Sequence, residues 1–126
     1  LTKRTLQSYL KNKGLPWERA KAFDGSALFS EFITIKKNES KAIDNTLTLS
    51  LEINNTLIQQ GSVQLMMYKP EQILAEIQSF MTLEDGDIIM TGTPKGVGII
   101  NKGDVFLGKL FVDNIEILSK QWQALQ

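Results

Sequence analysis

The side chains that could do chemistry in this sequence fall into two groups. Arg4 and Gln7 stand three apart in KRTLQSYL, so on a helix a guanidinium and a carboxamide share one face and can reach the same oxygen atoms. Lys21, within AKAF, adds an ammonium close in sequence to Glu18. Taken singly, Arg4 and Lys21 also read as ordinary solvated cations. Far down the chain, TGTPKGVG sets Thr91 and Thr93 on either side of Gly92, so two hydroxyls and an unobstructed backbone amide could converge on one carboxylate. The same stretch is compatible with a plain connecting turn, in which glycines supply positive φ and Pro94 sets a bend. Phosphate loops fit it poorly. The lysine precedes the second glycine of the stretch instead of following it, the GxGxxG pattern is absent, and the next residues, IINKGDVF, read as strand and not as a helix start. The hydroxyls and the unobstructed amide favour a small anion.

The remaining composition narrows the chemistry. The 126 residues contain neither histidine nor cysteine, which leaves acid–base work to Asp, Glu, Lys, Tyr or water and excludes thiolate metal sites and disulfides. Basic and acidic residues balance at 14 each, so no global field favours nucleic acid or an anionic membrane. No apolar run approaches the roughly 18 residues of a membrane span, and the first residues show no signal-peptide pattern. A cytoplasmic protein with one core is the expectation. The sequence begins at Leu1 with a helical pattern already under way, which reads as the middle of a longer polypeptide.

Several elements must hold these residues. LTKRTLQSYLKNKG places Leu6 and Leu10 on one helical face and stops at Gly14 and Pro16. PWERAKAFDGSA reads as a loop with at most one helical turn, LFSEFITI as a strand, and KKNESKAIDN as an exposed loop. TLTLSLEI alternates strictly, with Leu47, Leu49, Leu51 and Ile53 on one side. Asn54-Asn55 then predicts a tight hairpin with TLIQQ returning antiparallel. PEQILAEIQSFM predicts a helix begun by Pro70, with Ile73, Leu74, Ile77, Phe80 and Met81 on one stripe. LEDG is a turn, DIIMT a strand, and DVFLGKLFVDNIEILS a second hairpin turning at Asp113-Asn114. The sum is a mainly β, α+β domain with two or so helices.

An ordered series of motifs, LTKRTLQ, KGLPWERAKAFDGSA, INNTLIQQGSVQLMM and MTLEDGDIIMTGTPKGVG, resembles the fumarylacetoacetate hydrolase family, and most of all its small acylpyruvate hydrolase-like members. The resemblance covers nearly the whole chain, with the last fifteen or so residues diverging. It implies a mixed β-sandwich roll, usually a homodimer, of which residues 1–126 are the C-terminal portion of a single catalytic domain. It also implies Mg²⁺ or Mn²⁺ and a small 2-oxo acid substrate, with no nucleic acid or membrane partner. The implied reaction is metal-dependent hydrolysis of a C–C bond in a 2,4-dioxo acid of the acylpyruvate or fumarylacetoacetate type, through a chelated enolate. The alternatives are a 2-oxo acid decarboxylase or isomerase on the same scaffold, or a truncated member without activity.

Residue by residue, the resemblance implies a catalytic role for Lys21, which would stabilise the enolate. It implies substrate contacts for Arg4 and Gln7, and a carboxylate grip by Gly92 and Thr93. Three departures stand out: Thr5 where the family has aspartate; Leu28, Ser30 and Glu31 where it has Pro, Gly and Pro; and no metal ligands. The family's E-x-E pair and its aspartate would precede Leu1, as would the His and Glu that activate water. Other polar residues take structural readings: turn chemistry for Asp85 and Asp87, loop architecture for Gln60 and Gly61, packing for Met66 and Met67, and packing near the lysine segment for Trp17. Trp122 is assigned no role.

Overall fold

The computed structural model describes residues 1–34 and 46–125, which fall into two compact units, Leu1–Phe32 and Ile33–Gln126. The first unit is built on helix α1, Arg4–Asn12. Its apolar seam is short, with Leu10 and Gln7 buried on α1 and Ala20 fully buried on a 3₁₀ turn, Glu18–Ala20. The helix ends where Gly14 adopts φ +64°, a conformation that costs glycine little. There Gly14 N–H donates to the Lys11 carbonyl and Leu15 N–H to the Leu10 carbonyl, the paired bonds of a Schellman stop.

The second unit contains a four-stranded antiparallel sheet in the order β2-β1-β3-β4, with β1 Thr48–Ile53, β2 Thr56–Ser62, β3 Val105–Val112 and β4 Ile115–Gln123. Both hairpin turns form where the sequence placed them. Asn54 and Asn55 take φ +51° and +63°, and Asp113 and Asn114 take +50° and +64°. Positive φ at both central residues is the type I′ geometry that matches strand twist. β1 keeps its alternation, yet every position on it except the exposed Leu49 is half-buried, so neither of its faces is dry. Glu52 on β1 and Lys109 on β3 form an ion pair at 2.8 Å across the sheet.

Helix α2, Pro70–Gln78, begins with Pro70 as expected, and Lys69 N–H donates to Gln72 Oε1 at its start. The Lys69 ammonium donates to the carbonyls of Val63, Gln64 and Met66 at 2.9, 2.9 and 3.1 Å, which closes the chain between β2 and α2. The helix buries none of its residues.

Several expectations are corrected. Residues 28–34 form no strand, and neither do 87–91. Both have strand-like composition, but a strand exists only through a ladder partner, and neither pairs with another described segment. Phe32 and Met90 accordingly stand 74% and 75% exposed. Gln60 and Gly61 lie within β2, opposite Ser50 and Leu49, and not in a loop. Met67, expected in core or interface packing, is 92% exposed and so takes no part in a core of the described residues. Trp17 packs under the Lys11 ammonium of α1, 5.1 Å from its ring centroid. Trp122 lies on β4 with its ring over Gly108, where an added Cβ would meet the ring at 3.1 Å. The charged loop expected over 36–45 lies outside the described residues.

Candidate functional site

The sequence-predicted residues divide between the two units. In the first, Arg4 opens α1 and Gln7 lies one turn on. Arg4 Nη1 donates to Gln7 Oε1 at 2.6 Å. Gln7 is buried while Arg4 is exposed, so a fixed amide steers a solvent-facing guanidinium. The first turn of α1 holds no acidic residue, so this end of the helix keeps its positive dipole uncompensated and Arg4 adds to it.

Lys21 follows the 3₁₀ turn. Its N–H donates to the Glu18 carbonyl at 2.8 Å, and its ammonium donates to Thr2 Oγ1 at 2.6 Å. Lys3 N–H donates to the Ala20 carbonyl at 3.0 Å, which ties the approach to α1 directly beside Lys21. Thr2 therefore links the predicted catalytic lysine to the start of the predicted substrate helix. No motif singles out Thr2; its only signal in the sequence is its place two residues before Arg4. An open depression on α1 is lined by Lys3, Arg4, Thr5, Leu6 and Tyr9. Thr5, where the resemblance implied an aspartate, brings no carboxylate to this lining, whose charged residues are Lys3 and Arg4.

In the second unit, Gly92 and Thr93 occupy an exposed loop, with Gly92 at φ +117°. Among the described residues the Thr91 and Thr93 hydroxyls have no hydrogen-bond partner, so both remain available to a ligand. The downstream half of the loop rests on β2. Gln59 Nε2 donates to the Pro94 carbonyl at 3.4 Å, and Gly96, at φ +115°, lies against the Ile58 carbonyl.

Asp87 and Asp104 serve structure. Asp87 Oδ2 accepts from Glu84 N–H at 2.8 Å, the turn role expected of it. Asp104 accepts from Asn101 N–H at 2.7 Å and from Asn54 Nδ2 at 2.9 Å, and these bonds hold its carboxyl below the ordinary carboxylate range. Lys109 is held above the ordinary lysine range by its bond to Glu52. Among the described residues no group of three or more His, Cys, Asp or Glu could hold a metal ion. A donor set of guanidinium, ammonium, amide and hydroxyls does not fit a divalent cation, which prefers anionic oxygen ligands.

The family model for the fumarylacetoacetate (FAA) hydrolase C-terminal region matches residues 1–119. The chain belongs to the fumarylacetoacetate hydrolase family. Within this family it is 42% identical over 104 residues, 82% of its length, to the oxaloacetate tautomerase YcgM of Escherichia coli. Its fold matches a yeast fumarylacetoacetate hydrolase family protein with a TM-score of 0.90 and 33% identity over 99% of the chain. It also matches a Pseudomonas aeruginosa fumarylpyruvate hydrolase, solved with Mn²⁺ and pyruvate, with a TM-score of 0.76 and 26% identity over 99% of the chain. The chain spans about half the length of these relatives: 47%, 52% and 51% respectively. The antiparallel sheet with two helices matches the corresponding half of the family's fold. No described helix is long and apolar enough to cross a membrane.

Proposed function

We propose that residues 1–126 are the C-terminal portion of a single catalytic domain that forms the enolate of a small 2-oxo acid, and that the complete protein interconverts the keto and enol forms of an oxaloacetate-like substrate. The observation that carries this reading is the state of two cations in the first unit. Arg4 and Lys21 are held by neutral acceptors, Gln7 Oε1 and Thr2 Oγ1, and neither is bonded to a carboxylate among the described residues. Their charge is left for a ligand. Enolate formation moves negative charge onto the 2-oxo oxygen, and cations already in place lower that barrier without reorganising.

In this reading the first unit offers Lys21 to a developing oxyanion and Arg4 and Gln7 to substrate oxygens; the second unit, taken by itself, offers the Gly92 amide and the Thr93 hydroxyl to a carboxylate. Similarity to the tautomerase supports isomerisation ahead of the C–C hydrolysis expected from the sequence. Hydrolysis of a 2,4-dioxo acid is the second reading, supported by the fumarylpyruvate hydrolase, because breaking that C–C bond releases the same kind of enolate. Mg²⁺ or Mn²⁺ belongs to the complete protein, and no ligand for it is assigned to residues 1–126. The complete protein is a cytoplasmic homodimer in this reading.

The test is the full-length protein, assayed by the ultraviolet absorbance of enol-oxaloacetate and, in parallel, of an acylpyruvate. Loss of about 100-fold in kcat/KM for Lys21→Ala supports the reading. Full activity in both Lys21→Ala and Arg4→Ala overturns it, and acylpyruvate cleavage without tautomerisation selects hydrolysis.

A further inference from the structure

The loop that carries Gly92 and Thr93 is seated on β2 through contacts that leave no room for a side chain on either surface. On the strand, a Cβ at Gly61 would meet Pro94 Cγ at 3.0 Å and Pro94 Cβ at 3.2 Å, with Leu49 Cγ behind it at 3.6 Å. On the loop, Gly96 combines φ +115° with an approach so close that a Cβ would overlap the Ile58 carbonyl oxygen. Between the two, Gln59 Nε2 donates to the Pro94 carbonyl at 3.4 Å. Ile58, Gln59 and Gly61 are thus matched to Pro94 and Gly96, and Thr93 precedes the first clamped residue directly. By contrast, Cβ atoms at Gly92 and Gly98 would meet nothing within 4 Å, so the constraint begins just after Thr93.

We infer that Gln59, Gly61 and Gly96 are positioning residues: they lock Pro94 onto β2 and so fix the backbone from which the Thr93 hydroxyl and the Gly92 amide are presented to a substrate carboxylate. This rests on the carboxylate-binding role proposed above. A plain connecting turn can use Pro94 for its bend and a glycine for positive φ, but it does not require a glycine at position 61 on the strand beneath it. A binding loop does, because an amide and a hydroxyl placed in advance avoid the entropy cost of ordering on binding. Loosening the seat raises KM for the 2-oxo acid more than it lowers kcat, since the carboxylate grip acts on bound substrate and transition state alike.

The experiment uses steady-state kinetics on the full-length protein with Thr93→Val, Gln59→Ala, Gly61→Ala, Pro94→Gly and the double variant Gly61→Ala/Pro94→Gly, with thermal melting alongside. Gln59→Ala and Gly61→Ala are expected to raise KM between about threefold and about tenfold, with kcat within about twofold. Pro94→Gly removes the atoms that a Cβ at residue 61 would strike. The double variant is therefore expected to have a KM below the product of the two single effects. Additive effects, or KM values that track melting temperature alone, overturn the lock. An unchanged KM in Thr93→Val overturns the carboxylate role itself. A raised KM in Thr93→Val with an unchanged KM in Gln59→Ala and Gly61→Ala overturns only the lock.

Discussion

Asn54 and Asp104, fifty residues apart, are joined side chain to side chain at 2.9 Å, and Asn54 Oδ1 accepts from the Val105 N–H at 2.9 Å. The residue that makes the first hairpin turn therefore also fastens the start of β3 beside β1. Asp104 completes the junction. Its Oδ2 accepts from Asn101 N–H, and its backbone carbonyl accepts from Ala124 N–H at 2.9 Å, just beyond β4. Asp104 thus joins three segments: its carboxylate holds the first hairpin turn and Asn101, and its backbone carbonyl holds the chain just past β4.

Replacing Asn54 with alanine is expected to cost about 2 kcal/mol, from the left-handed backbone at φ +51° and the two lost side-chain bonds. Urea unfolding of the full-length protein checks this. Asn54→Asp should be no milder at neutral pH, because it keeps the acceptor for Val105 N–H but sets a second carboxylate against Asp104.

The depressed pKa of Asp104 gives stability a defined dependence on acid. Its bonds favour the carboxylate, so the native state holds its proton less tightly than the unfolded chain. The contribution is complete above the ordinary value of 3.8 and is lost as pH falls through the lower native value. Melting temperature measured between pH 6 and pH 2 should fall less steeply in Asp104→Asn, which starts from a lower melting temperature at pH 6.

Lys109 has the opposite sign. Glu52 raises its native pKa above 10.5, so the ion pair stabilises fully below 10.5 and the benefit disappears as pH rises through the native value. Melting curves from pH 8 to pH 11.5 should show a steeper decline for the unmodified protein than for Lys109→Met.

Arg4→Lys is expected to recover little of the activity lost in Arg4→Ala. Arg4 Nη1 is engaged by Gln7 Oε1, and the planar fork keeps that bond while presenting parallel donors to a substrate, a bidentate geometry that a lysine ammonium does not offer. A loss of about tenfold in kcat/KM with an unchanged melting temperature is the outcome expected from enol-oxaloacetate kinetics.

Gly108→Val should destabilise the sheet by about 1–2 kcal/mol, because a Cβ there stands 3.1 Å from the Trp122 ring and a branched side chain must displace it. A red shift in tryptophan emission in a Trp17→Phe background reports that displacement.

Local chemistry made much of this readable in advance. Asn54-Asn55 and Asp113-Asn114 tolerate positive φ, Pro70 suits a helix start, Gly14 suits a helix stop, and the spacing of Arg4 and Gln7 gives them one face of α1. Each of these outcomes depends on residues within a few positions of one another, so a sequence pattern contains the cause. The segments 28–34 and 87–91 failed for the complementary reason: β-branched and aromatic composition permits a strand, but only a neighbouring ladder makes one.

Tertiary structure decided the rest. That Thr2 holds Lys21, that Asp104 serves Asn54, that Trp122 covers Gly108, and that Gly61 and Gly96 exist to let Pro94 sit on β2 are all pairings across long stretches of chain. The sequence by itself determined the turns, the helix ends, and which residue types were available to bind a small acid. Which residues press against which, and therefore why a glycine or an aspartate stands at a particular position, followed only once chain folding had brought distant segments to within a few ångströms.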